Sequence, residues 1–147
     1  MDTIYYKLPL NLDNIFDEDG GKLHTCSEIE SIDQHIELII TTCPGEHKFN
    51  KNFGCRIWDM DFERVVLRKK WEEEFTGHIA DAIQRFESRI KDIEVAIQVM
   101  EVTREDSITK TTAIKKKVIV QVKGILVSSG GYCEFRYKLF LGPLSTE

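Results

Sequence analysis

The run FTGHIADAIQRFESRI, residues 75–90, constrains the chain more than any other stretch. Phe75, Ile79, Ile83 and Phe86 recur at steps of four, four and three, with Ala82 and Ile90 beside them, while Asp81, Gln84 and Arg85 fall elsewhere. That spacing is the apolar face of an amphipathic helix, which has to be buried against a second element. After Phe86 comes Glu87-Ser88-Arg89. Opposite charges two residues apart do not share a helix face, but they do share one side of an extended chain. The spacing therefore predicts a helix end that presents a carboxylate and a guanidinium, both largely exposed because a helix end offers little cover. The competing account is a solvated helix terminus with no partner.

An earlier helix is predicted from Ser27. Ser27 and Glu30 have capping-box spacing, in which the hydroxyl accepts a free amide and the carboxylate reaches back. Ile29, Ile32, Ile36, Ile39 and Cys43 then form a stripe that Pro44-Gly45 stops. His35 lies off this stripe and is expected to be exposed and inert. Residues 45–59 are irregular, yet Phe49, Phe53, Ile57 and Trp58 are too apolar for a free loop. Phe49, Phe53 and Trp58 are expected to tie the stretch to the helices. Gly54 suggests a turn with positive φ or a close backbone approach. Phe62, Val65, Val66 and Leu67 fit a short strand or an early helical turn, and the second helix is placed at about 69–87.

Three alternating runs follow, around Ile93 to Val99, Val118 to Val122 and Tyr132 to Leu141, with Phe135, Tyr137, Leu139 and Leu141 on one side of the last. Ser128-Ser129-Gly130-Gly131 reads as a hairpin turn, and residues 104–110 as a polar connection. The order predicts an α+β fold, with two amphipathic helices on one face of a three-stranded antiparallel meander. Residues 1–26 are expected to form an extended N-terminal arm and residues 27–147 a single domain. The arm carries Ile4, Tyr5, Tyr6, Leu8, Leu10, Leu12, Ile15 and Phe16, more apolar side chains than a disordered tail would.

A net charge of −5 argues against a general nucleic-acid binder, whose affinity needs surplus Lys and Arg. No run approaches the ~18 apolar residues of a membrane span, and no basic start precedes an apolar core as in a signal peptide. A cytoplasmic location is expected. Cys26, Cys43, Cys55 and Cys133 are widely spaced and read as free thiols, with no zinc spacing alongside His24 or His47. No cofactor, metal or small-molecule substrate is indicated.

Taken in order, these signals are a helix ending in Pro44-Gly45-Glu46, then Phe49 and Asn52-Phe53-Gly54, then a helix ending in Phe86-Glu87-Ser88-Arg89-Ile90, then strands. The pattern over roughly 27–142 resembles the GPW/gene-25-like family of contractile-tail baseplate wedge subunits, and most of all its type VI secretion, TssE-like members. The family pattern is Gly-Glu-Arg, Pro-x-Phe-Gly and Glu-Pro-Arg-Ile. Here His47 replaces the arginine, Lys51 the proline, Asn52 a frequent aspartate, and Ser88 the proline between Glu87 and Arg89. Proline disfavours helix in the residue before it, so Ser88 leaves the helix stop less enforced.

The resemblance implies a structural subunit whose partners are other baseplate wedge subunits and the sheath protein, which it templates. It places partner contacts at Glu87, Arg89, Ile90 and Glu46, and structural roles at Gly45, Phe49, Phe53 and Gly54. Two other readings compete. The family has been labelled a lysozyme, and such a peptidoglycan hydrolase needs two carboxylates flanking a cleft; Glu46, Asp59 and Asp61 can be nominated, though their spacing singles out none of them. Small anti-adaptor proteins share this domain, and the apolar arm would suit that regulatory role too.

Overall fold

The computed structural model describes residues 3–10, 12–13, 23–60, 68–105 and 112–141, and of 68, 101–105 and 112–115 it describes the backbone. Asp61, the run from 62 to 67, and the arm residues Ile15 and Phe16 lie outside the described residues. The elements are β1 (Tyr5–Tyr6), β2 (Thr25–Cys26), α1 (Glu28–Thr41), a 3₁₀ turn (Arg56–Asp59), α2 (Arg68–Phe86), β3 (Ile90–Glu105), β4 (Thr112–Leu126) and β5 (Tyr132–Leu141). The last three strands form an antiparallel sheet in the order β3-β4-β5, and β1 and β2 pair as a small separate ribbon. The architecture is α+β, as the order of periodicities predicts.

The helix starts follow the local chemistry. Ser27 is extended and its Oγ accepts the Glu30 N–H at 3.2 Å, while Glu28 and Glu30 place negative charge on the first turn. Ile32, Ile36, Ile39 and Ile40 of α1 are buried. Ile29 is on the same side by angle, but it sits in the first turn, past the edge of the core, and is 48% exposed. In α2 the predicted stripe is buried at Phe75, Ile79, Ala82 and Ile83, with Trp71 added one turn earlier. Gly77 sits on the exposed side of α2, and a Cβ built there meets nothing within 4 Å. Gly77→Ala should raise stability by about 1 kcal/mol, read as a melting temperature a few degrees higher.

Both helices cover one sheet face. The central strand contributes Val118, Val120 and Val122, all fully buried. In β5 burial alternates along the whole strand, with Cys133, Phe135, Tyr137, Leu139 and Leu141 inward. The Tyr137 hydroxyl donates to Asp33 Oδ1 at 2.7 Å, tying β5 to α1, and desolvation together with the Asp33 charge holds its pKa far above the usual tyrosine range. The β4–β5 hairpin closes through Leu126 N–H to the Gly131 carbonyl and Gly130 N–H to the Leu126 carbonyl, both 2.8 Å, with Gly130 at φ +73°. The sheet strands reach further than the alternation suggests: β3 continues through Arg104 and Glu105, residues expected in the connection.

Candidate functional site

The chain leaves α2 at Phe86 despite the serine at 88. Glu87 N–H still donates to the Ile83 carbonyl at 2.8 Å, which completes the last helical turn. A continuing helix would turn the Arg89 N–H to the carbonyl four residues back. Instead Glu87 Oε1 accepts that N–H at 3.1 Å. One bond on, the Arg89 carbonyl accepts the Val127 N–H at 2.9 Å, and β3 begins at Ile90. The carboxylate and the edge of β4 thus supply the stop that Ser88 cannot impose.

The same carboxylate is the centre of a polar cluster. Arg89 Nε donates to Glu87 Oε1 and Nη2 to Oε2, each at 2.8 Å, a bidentate fork. His35 Nδ1 lies 2.7 Å from Oε2, which puts a proton on that nitrogen. Arg89 Nη1 donates to Ser31 Oγ at 2.8 Å. Each Glu87 oxygen therefore accepts two bonds, and the side chain is 2% exposed. Burial pushes the Glu87 carboxyl up, but the hydrogen bonds from Arg89 and His35, the Arg89 N–H and the Arg89 charge together outweigh it, and its pKa falls to about 2. Arg89 is held above its ordinary value, chiefly by its bond to Glu87.

This corrects the expected exposure. Glu87 is buried with all its acceptor capacity used, and Arg89 is 25% exposed. One face of the Arg89 guanidinium stacks on a ring from the N-terminal arm: the Tyr5 ring centroid lies 5.2 Å from its guanidinium carbon. Tyr5 is brought there by its pairing opposite Cys26 and by Leu8 N–H donating to Gln34 Oε1 at 2.6 Å. Ile4, Tyr6, Leu8, Leu10 and Leu12 of the same arm stay exposed.

His35 is not the inert residue that its place off the stripe suggests. It is four residues before the buried Ile39, hence only ~40° round the helix from it, at the border of the apolar face. Its ring stacks on Phe53 at 6.0 Å, and Phe53 packs on Phe86 at 5.0 Å, so an aromatic layer roofs the cluster. Trp58 Nε1 donates to the Ile40 carbonyl at 2.8 Å, a second tie between the irregular stretch and α1. Ser31 and His35 stand one helical turn apart, a spacing that signals a shared side but no partner; nothing local marks Tyr5.

Phe53 and Trp58 thus anchor the stretch as expected. Phe49 does not: it is 92% exposed. Phe53→Ala should lower stability by about 2 kcal/mol, checked by denaturant titration, because it removes a half-buried ring shared by His35 and Phe86. Gly54 meets both expectations, with φ +133° and a Cβ position 2.6 Å from the Thr42 carbonyl oxygen. Gly45 has φ +94° in open space. Glu46 is exposed, and its Oε2 accepts the Cys43 N–H at 2.9 Å. It serves its own loop, apart from the Glu87 cluster. Ile90 is buried at the start of β3.

Of the carboxylates nominated for hydrolysis, Glu46 bonds within its own loop. Asp59 is exposed at the end of the 3₁₀ turn, and Asp61 is outside the described residues. Among the described residues no group of three or more His, Cys, Asp or Glu is placed to hold a metal, and no helix is long and apolar enough to cross a membrane.

In comparison with known structures, the fold is similar to that of a Geobacter sulfurreducens protein provisionally named a tail lysozyme, with 18% identity and a TM-score of 0.59, covering 82% of this chain and 96% of that one. It is also similar to a chain of the baseplate complex from the type VI secretion system, with 14% identity and a TM-score of 0.44, over 74% of this chain and 88% of that one. A search of curated proteins returns no match. The sequence model of baseplate wedge protein gp25 matches residues 26–129, most of the chain, with both helices and the strands β3 and β4. The chain belongs to the baseplate wedge protein gp25 family.

Proposed function

We propose that this protein is a structural, non-catalytic subunit of a contractile injection baseplate, TssE-like or from a phage-like tail. In this reading it joins other wedge subunits and offers the sheath protein a template. Membership of the gp25 family supports the baseplate role. The observation that carries the site reading is the saturated Glu87 carboxylate. A carboxylate whose oxygens each accept two internal bonds has nothing left for a partner. Glu87 is therefore the residue that orients, and Arg89, partly exposed with a planar fork fixed in place, is the one that meets the neighbouring subunit.

The same geometry disfavours a hydrolase. A glycosidase acid needs a raised pKa, and the strongly perturbed carboxyl here moves down to about 2. Purified protein should release no soluble fragments from peptidoglycan.

The site test has to avoid stranding one buried charge. Glu87→Leu with Arg89→Met removes both partners, a change that typically costs far less stability than losing one. The double variant should fold and yet fail to join a wedge complex reconstituted from neighbouring wedge subunits. Assembly at the parent level would overturn the role of Arg89.

A further inference from the structure

The loop between α1 and the 3₁₀ turn displays Phe49, the most exposed of the large apolar side chains among the described residues at 92%. The loop is built to hold it there. Gly45 N–H donates across the loop to the Lys51 carbonyl at 2.7 Å, Glu46 braces the entry through Cys43 N–H, and Asn52 N–H donates to Asn50 Oδ1 at 3.1 Å. Phe53 anchors the base, and His47 lies tilted or edge-on to both rings, 5.7 Å from Phe53 and 6.3 Å from Phe49.

The loop carries two lysines to one carboxylate although the chain carries a net −5. Lys48 and Lys51 flank Phe49 and are exposed, and Arg56 and Arg85 line a shallow cavity beside the loop together with Asp81. None of these four cations is in an ion pair among the described residues. Glu46, the loop's own carboxylate, is turned to backbone.

Resting on the baseplate reading, we propose that residues 45–52 form a docking finger, in which Phe49 enters an apolar pocket with an acidic rim on another wedge protein. A single aromatic on a pre-ordered loop suits a pocket, because little conformational freedom is left to lose on binding. Lys48 and Lys51, exposed on either side of Phe49, specify an acidic rim and speed encounter with it. Anionic membranes and nucleic acid fit less well, since the chain's overall charge repels both.

The test titrates the full-length chain against a wedge complex reconstituted from neighbouring wedge subunits. Phe49→Ala should weaken binding at least roughly thirtyfold while leaving the melting curve unchanged, as the ring touches little of its own domain. Lys48→Glu with Lys51→Glu should slow association about tenfold at low salt and leave dissociation nearly as it was. If Phe49→Ala binds like the parent, the finger is overturned and the baseplate reading stands. If the parent chain itself does not bind, both fall. Phe49-dependent binding to phosphatidylglycerol vesicles, or Phe49-dependent self-association in sedimentation, would assign the loop to a membrane or a second copy and overturn the proposal.

Discussion

Replacing Glu87 with glutamine is expected to lower stability by about 3 kcal/mol at neutral pH, roughly 10 °C in melting temperature. The shape is nearly kept, so the loss is electrostatic. Glutamine cannot accept the Arg89 fork on both sides, and its NH₂ would face a donor from Arg89 or His35. Arg89 would be left half-buried without its counter-charge.

The same figure follows from proton linkage. The folded carboxyl titrates at about 2 against an ordinary 4.5, a difference worth about 3 kcal/mol. Because the folded pKa is the lower one, the contribution is fully present above about pH 5 and is lost as pH falls from 4.5 toward 2. Arg89, held above its ordinary value, stays charged throughout and does not reverse the sign. Chemical denaturation at a series of pH values should show the parent and Glu87→Gln converging in that window. Two parallel curves with no gap at pH 7 would show that the cluster contributes nothing net.

Local rules and long-range contacts were unequally legible in the sequence. The stripes at Phe75, Ile79 and Ile83 and at Ile32, Ile36 and Ile39, the Ser27 cap and the alternation in β5 depend on neighbours in the chain, and each is visible as spacing. The Glu87 cluster depends on residues 52 and 58 positions away, His35 from Glu87 and Ser31 from Arg89, which no periodicity links. Exposure of a charged pair at a helix end is a sound expectation only when nothing folds over it. Here α1 presents His35 and Ser31 from one side, and Tyr5 comes from the arm. Phe49 shows the opposite error. An aromatic in an irregular stretch suggests an anchor, but two anchors, Phe53 and Trp58, already suffice, and the loop's hydrogen bonds point the third ring outward.

Gly54→Ala is expected to cost on the order of 3–5 kcal/mol, and the comparison with Gly45→Ala separates its two causes. Both glycines have positive φ, +133° and +94°, so either alanine is strained by its backbone alone, at roughly 1–2 kcal/mol. Around Gly45 an added methyl meets nothing within 4 Å. At Gly54 it would lie 2.6 Å from the Thr42 carbonyl oxygen and 3.0 Å from backbone atoms of Cys43 and Pro44. None of those is a side chain that can swing aside. Relief requires moving the end of α1 away from the strand-like entry to the 3₁₀ turn, and that breaks the Cys55 N–H bond to the same Thr42 oxygen, 2.9 Å long. It also shifts Phe53, the ring against His35 and Phe86, so the damage reaches the Glu87 cluster. Denaturant titration of the two variants should therefore show Gly54→Ala clearly the less stable. Only that variant should weaken the coupling measured by a Glu87→Gln and Arg89→Met double-mutant cycle. Equal losses at the two glycines would mean that φ alone sets the cost and that the packing of this turn against Thr42 carries no weight.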